Sequence, residues 1–315
     1  MNKDTIWLIG AGKMAMEYSK VLKALDKEFT VIGRSEEGVT EFFRATGIHA
    51  SSGGLDAVSK ADEQIPDFAI NAVSVNQLYD TSLQLMDLGV RNILVEKPAA
   101  LEISQLENLS EIAASKNINL LIAYNRRFYQ SVRKAMEMIK EEGGIRSFHF
   151  EFTEWENRIR NTGHPAEVKE KWVIANSSHV IDLAFFLGGY PSEISTFHDS
   201  SLNWHRSSAS FTGAGRTERG ALFSYQANWN APGRWSLEFM TDRRRYIFRP
   251  VEKLQVQEKE KLSADFTDLD YTIDEEYKAG LFLMCEEFLQ QDFSHFCSIA
   301  QHRELSGIYF QMANY

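Results

Sequence analysis

The chain has 315 residues, 43% of them hydrophobic and 25% charged, with 44 acidic against 34 basic side chains for a formal net charge of −10. That length holds two cores, and the acidic balance repels a phosphate backbone and an anionic bilayer, which excludes nucleic acid and membrane as general partners. Two cysteines, Cys285 and Cys297, are too few for a disulfide framework and lack the spacing of a zinc site, so a reducing compartment and no metal are expected.

Met1 leads almost directly into the apolar run Ile6–Ile9 without a charged and then hydrophobic leader, and no apolar window is long enough to span a bilayer, so a cytoplasmic location is expected. Through residue 124, short apolar runs alternate with amphipathic stretches, the pattern of βα units that feed a parallel sheet. The first strand is predicted at Thr5–Ile9. It runs into Gly10-Ala11-Gly12-Lys13-Met14-Ala15, a G-x-G-x-x-A sequence opening a helix at Met14–Leu25. Gly10 permits a tight turn, Gly12 admits a pyrophosphate to the backbone, Ala15 allows close helix packing, and the helix N-terminus offers free N–H groups to the anion.

The second strand, Phe29–Ile32, ends in Gly33-Arg34-Ser35, with no carboxylate where a ribose 2′-hydroxyl is usually held. Gly33 is read as leaving room, Arg34 as pairing a 2′-phosphate and Ser35 as adding a hydrogen bond, so NADP is expected over NAD. Arg34 also reads as a solvated loop cation. A third strand, Phe68–Ala72, precedes a helix over Asn76–Leu88 that Gly89 closes, and Ser74 and Asn76 join Lys13 and Met14 as candidate cofactor residues. A strand from Asn92 leads into Val95-Glu96-Lys97-Pro98, which sets Lys97 at the carboxyl edge of the sheet, where ligands of such folds bind. A helix over Ser104–Lys116 and a strand over Leu120–Ala123 complete the first domain, assigned to residues 1–124. Tyr124-Asn125-Arg126-Arg127-Phe128 marks the junction with the second, 125–315.

From Phe148 the period becomes two. Phe148, Phe150 and Phe152, then Ala221, Phe223, Tyr225 and Ala227, then Trp235, Leu237 and Phe239, alternate with more polar neighbours as in half-buried strands, and Tyr246 and Phe248 extend the series. One face of that sheet needs a cover, either helices at Ser178–Leu187 and Glu275–Gln290 or another subunit. Between Asn157 and Trp172, Arg158, Arg160, His164 and Trp172 form a polar loop suited to a phosphorylated or nucleotide-linked sugar, or to plain solvent. Asn176, His179 and Asp182 recur every third residue and so share a helix face, with Asp182 either orienting His179 or closing the packing. Arg243-Arg244-Arg245 reads as a solvated hairpin edge. Trp229, Arg234 and Trp235 read as core first and as pocket or interface second.

The glycine motif, Glu96-Lys97-Pro98 at its distance from it, and Tyr124–Phe128 together resemble the glucose-fructose oxidoreductase, inositol dehydrogenase and MocA family along nearly the whole chain. That resemblance implies an α/β protein: an N-terminal Rossmann domain on a parallel sheet and a C-terminal α/β domain with a mainly antiparallel open sheet, assembled as a homodimer or homotetramer. It implies hydride transfer between nicotinamide and a hydroxyl or carbonyl carbon of a sugar, sugar nucleotide or cyclitol. It makes Lys97 and His179 the catalytic pair, converging over the nicotinamide; Glu96 is counted among the cofactor residues, and Tyr124, Arg126, Arg158, Trp172 and Asn176 are candidates for the substrate side. One departure stands out, since Ala175 occupies the place of a family aspartate four residues before the histidine. Either Lys97 and His179 suffice without it, or the chain is an NADP-binding redox or metabolite sensor that does not turn over.

Overall fold

The computed structural model describes residues 5–60 and 64–315; residues 1–4, the start of the expected first domain, lie outside them. Two compact units result. One is built from the chain up to Asn125 together with Ile273–Glu304, the other from Arg126–Thr272 together with Leu305–Tyr315.

The first unit alternates β1 (Ile6–Ile9), α1 (Lys13–Ala24), β2 (Phe29–Ile32), α2 (Glu36–Thr46), β3 (Ala50–Ser51), α3 (Gly54–Lys60), β4 (Phe68–Asn71), α4 (Leu78–Leu88), β5 (Asn92–Val95), α5 (Ile103–Lys116) and β6 (Asn119–Ile122). Its strands pair in parallel in the order β6-β5-β4-β1-β2-β3. β1 and β5 are buried at every position, through the apolar run Ile6–Ile9 and, after Asn92, Ile93, Leu94 and Val95, as strands are when helices cover both faces of a sheet. The helix stops are local chemistry. Gly47 and Gly89 close α2 and α4 in the left-handed conformation, with φ of 69° and 93°, which costs glycine nothing.

The second unit contains α6 (Gln130–Glu141), β7 (Ser147–Glu151), α7 (Glu156–Arg160), α8 (Ala166–Glu170), α9 (Ser178–Gly188), β8 (Pro191–Asp199), β9 (Ser210–Thr217), β10 (Leu222–Asn228), β11 (Ser236–Met240), β12 (Arg244–Phe248), β13 (Gln255–Glu258) and β14 (Asp265–Phe266). Its sheet runs β14-β13-β12-β11-β7-β10-β9-β8, antiparallel except where β7 meets β10. The alternating phenylalanines form its inner face. Phe185 of α9 meets Phe148, Phe150 and Phe223 edge-on, with ring centroids 6.2, 5.5 and 5.3 Å away, within the range such pairs favour. Phe197 and Leu222 remain exposed on this sheet.

The chain then forms α10 (Thr272–Glu276), α11 (Leu281–Gln290), β15 (Cys297–Ser298) and α12 (Ile299–Ala313). The expectation of one continuous second domain over 125–315 is corrected here. Ile273–Glu304 belongs to the first unit, where β15 pairs antiparallel with β6 and Phe288 of α11 packs edge-on against Phe68 at 5.5 Å. The physical reason is an open strand edge, which β15 covers. The single helix expected over Glu275–Gln290 is likewise two, because Gly280 adopts φ 73° between them. No helix among the described residues is long and apolar enough to cross a membrane.

Candidate functional site

β1 and β4 are neighbours although three helices and two strands separate them in the chain, so the connections leaving their carboxyl ends diverge and open a cleft, the usual ligand position in such sheets. The cleft has a volume of about 480 Å³ and is lined by Gly10, Ala11, Gly12, Arg34, Ser74 and Gln77 among others. Gly10 holds φ 114°, and a Cβ there would stand 2.7 Å from the Ala72 carbonyl oxygen, so only glycine fits. Gly12 is different. It precedes α1 in extended conformation with no side-chain cap, and a Cβ on it would meet nothing within 4 Å. The first-turn amides of α1 therefore stand open for an anion. Lys13 and Met14 supply two of those amides; their side chains do not line the cleft, and Gln77 rather than Asn76 does. Thr81 and Gln84 of α4 also line it without any motif to announce them.

At the far strand, Ser35 caps α2, its hydroxyl accepting the Gly38 N–H at 3.2 Å. Gly33 does not leave ligand space. A Cβ there would lie 2.5 Å from Val39 Cγ1 and 3.1 Å from the Ala11 methyl, so it is a packing glycine. Among the described lining residues, Arg34 is the single cation, against the carboxylates of Glu41, Asp56 and Asp80.

Lys97 follows β5 in a loop braced from several sides. The Glu96 amide donates to Asn71 O at 2.9 Å, and its carboxylate accepts from the Tyr18 hydroxyl at 2.8 Å. Burial raises the Glu96 carboxyl above the usual carboxylate range, opposed by the Tyr18 bond and by Lys97 and Lys278. Burial and the adjoining Glu96 charge likewise push up the Tyr18 hydroxyl and the Cys285 thiol. The Pro98 carbonyl lies 2.9 Å from His302 Nε2, and since a carbonyl only accepts, that nitrogen carries the proton. Nδ1 then accepts from Tyr124 at 3.4 Å. Tyr124, expected to face substrate, is only 1% exposed, so its place there is corrected: it supports the Lys97 loop from the core of the first unit.

In the second unit, a π-helical turn, Val173–Ser177, enters α9, a local widening often found at functional positions. Asn176, Ser177 and Trp172 all donate to the buried carboxylate of Glu154, at 2.7, 2.7 and 3.0 Å. Sequence patterning missed Glu154. Trp172, expected to face substrate, is instead buried with its indole N–H spent on that carboxylate, which corrects its assignment. Asp182 does not orient His179. It forms a fork with Arg127, Nε to Oδ2 at 2.8 Å and Nη2 to Oδ1 at 2.6 Å, while the guanidinium lies 4.4 Å from the Phe186 ring. His179 is 8% exposed, its ring 6.3 Å from that of Trp235. Arg126 lies 4.7 Å over Trp235, and exposed Arg158 lies 4.2 Å over Trp155. Arg244 and Arg245 are ion-paired with Glu258 and Glu238, as a hairpin edge requires.

Residues 5–124 match the Gfo/Idh/MocA family. Its model is described as an oxidoreductase family with an NAD-binding Rossmann fold. An uncharacterized oxidoreductase of Schizosaccharomyces pombe is 27% identical over 195 residues, 59% of this chain and 52% of that protein, so the match spans about half of that relative's length. A levoglucosan dehydrogenase solved with NADH and levoglucosan superposes with a TM-score of 0.77 at 19% identity, covering 98% of this chain and 95% of that one. An oxidoreductase from Agrobacterium radiobacter, solved with NAD+, L-tartaric acid and magnesium, gives 0.80 at 15% identity, covering 99% and 96%. Both structures share the fold of this chain over nearly its whole length.

The expectation of NADP is corrected by these structures, which hold NADH and NAD+. The cleft gives the physical reason. Three carboxylates face one guanidinium, a balance that disfavours an additional phosphate dianion, and Gly33 and Ser35 are occupied with packing and capping.

Proposed function

We propose that this chain is an NAD-dependent dehydrogenase or reductase that exchanges a hydride with a hydroxyl or carbonyl carbon of a sugar, sugar nucleotide or cyclitol. The observation that carries this is the uncapped N-terminus of α1, open beside Gly10 and Gly12 at the switch between β1 and β4. Gly10, Gly12 and the first amides of α1 would hold the pyrophosphate, and Ser74 and Gln77 would line the path toward the nicotinamide. The bound nicotinamide supplies the hydride acceptor. Lys97 takes the hydroxyl proton as the alcohol is oxidised and returns it in the reverse direction, with Glu96 and Pro98 fixing its loop. His179 shares that proton transfer, and Asn176, its amide N–H already donated to Glu154, keeps its carbonyl oxygen to accept from a substrate hydroxyl. The uncovered face of the eight-stranded sheet, with Phe197 and Leu222, is assigned to a homodimer or homotetramer contact.

The experiment is a calorimetric titration with NAD+ paired with an assay of its reduction on a panel of sugars and cyclitols. Gly12→Val should hold Tm near the wild-type value, since a Cβ there meets no protein atom within 4 Å, yet abolish binding. Lys97→Met should keep binding and lower turnover by about 10²–10⁴. Wild-type affinity for NAD+ in Gly12→Val would refute the cofactor site; binding without turnover on any substrate would favour the sensor instead.

A further inference from the structure

The second unit gathers polar donors around Trp235 that the protein itself leaves unanswered. Trp235 is 6% exposed, and its indole Nε1 is sealed from solvent with no acceptor among the described residues. The same holds for Arg126 Nε, on the guanidinium that lies 4.7 Å over the Trp235 ring. Arg234 approaches that ring at 5.5 Å and, at an equal distance, the ring of Trp155, on which Arg158 stacks at 4.2 Å. None of these three arginines has a carboxylate partner among the described residues.

Buried donors in folded proteins are almost always satisfied, so sealed N–H groups without an acceptor point to one that arrives from outside. A guanidinium stacked on an aromatic face keeps its in-plane N–H edge for a planar or tetrahedral anion. A neutral hydroxyl would answer the indole but leave the clustered positive charge uncompensated. The carboxylate in the adjoining groove is already committed, Glu156 accepting from Arg160 at 3.3 Å and from Trp204 Nε1 at 3.2 Å. That groove, lined by Trp155 and Arg158 on this side, has a volume of about 590 Å³.

We infer that the substrate carries an anionic substituent, a carboxylate or a phosphate, and that Arg126, Arg234 and the Trp235 indole bind it, with Arg158 extending the positive wall along Trp155. His179 touches the same indole ring, so anchoring the anion there sets the sugar beside the histidine assigned to proton transfer. This deepens the dehydrogenase assignment and rests on it for the word substrate.

The test is calorimetric titration of the full chain, loaded with NAD+, with D-glucose, D-glucuronate and D-glucose 6-phosphate. At least one anionic sugar should bind about tenfold or more tighter than glucose, in line with a charge-assisted bond. Which one does identifies carboxylate or phosphate. Arg234→Gln, at an exposed position, and Arg126→Gln should each remove most of that preference while NAD+ affinity stays at the wild-type value. Equal binding of glucose and both anions, no binding of either anion, or a preference that survives both substitutions overturns the inference. Failure of NAD+ to bind the wild type would instead overturn the dehydrogenase assignment, leaving the anion measurement to stand by itself.

Discussion

Removing the Asp182 carboxylate should be among the most damaging single changes in the second unit. Asp182 and Arg127 are each 1% exposed and joined by two bonds of 2.8 and 2.6 Å, and α9 around them is buried at ten of its eleven positions. Asp182→Ala strips both bonds from a guanidinium that water does not reach, which costs about 3–5 kcal/mol. With a urea m-value of about 2 kcal/mol/M, the midpoint should fall by roughly 1.5–2.5 M. Five of the six tryptophans lie in this unit, so intrinsic fluorescence follows its unfolding. The double variant Arg127→Met/Asp182→Leu removes the charge from both sides and should recover most of the loss, because a well-packed apolar pair commonly replaces a buried ion pair at little cost. A midpoint for Asp182→Ala within about 0.3 M of wild type, or a double variant no better than the single one, would show that the fork is not what holds α9.

Gly10→Ala should destabilise the first unit by more than about 1 kcal/mol, from the clash with the Ala72 carbonyl and the positive φ, measured by thermal melting. His205 should make the second unit acid-labile. Burial holds its imidazole down to about 4, with Nδ1–H donating to Ser208 O at 2.6 Å and Nε2 accepting from Tyr315 at 2.8 Å. As pH falls below the ordinary histidine value of about 6.5, the unfolded chain takes up this proton first, so stability declines until about pH 4, by roughly 3 kcal/mol in all. His205→Gln should flatten that slope in urea titrations across the range, and an unchanged slope would rule the group out. Glu154→Ala should strand the donors on Trp172, Asn176 and Ser177, and hydrogen exchange of the Val173–Ser177 amides should speed up at least tenfold.

The parts of the fold written in local period were open to inspection of the sequence. The strand-glycine-helix passage from Ile6 to Ala24 and the alternation Phe148, Phe150, Phe152 need only neighbours within a few residues to declare themselves. β9 hid because Gly213 and Gly215 depress its strand propensity. Those glycines face Tyr225 and Phe223 across the ladder, where any Cβ would strike an aromatic ring, and that reason sits on another strand. Candidate site residues followed the same division. Gly10 and Gly12 carry their signal in the motif, whereas Glu154 gathers donors 18 to 23 residues downstream and Tyr124 gains its hydroxyl partner 178 residues on. Arg34 misled because a cation after the second strand looks like a phosphate ligand until Glu41, Asp56 and Asp80, from three other elements, appear beside it.

Because Ile273–Glu304 completes the first unit, the second unit's main stretch is an insertion within it. During synthesis β6 emerges from the ribosome long before Cys297 and Ser298 exist to cover its edge, so the nascent Rossmann sheet must wait with that border raw. A fragment cut at Asn125 would stay in that condition, lacking also Phe288, and should be sticky rather than a minimal dinucleotide binder.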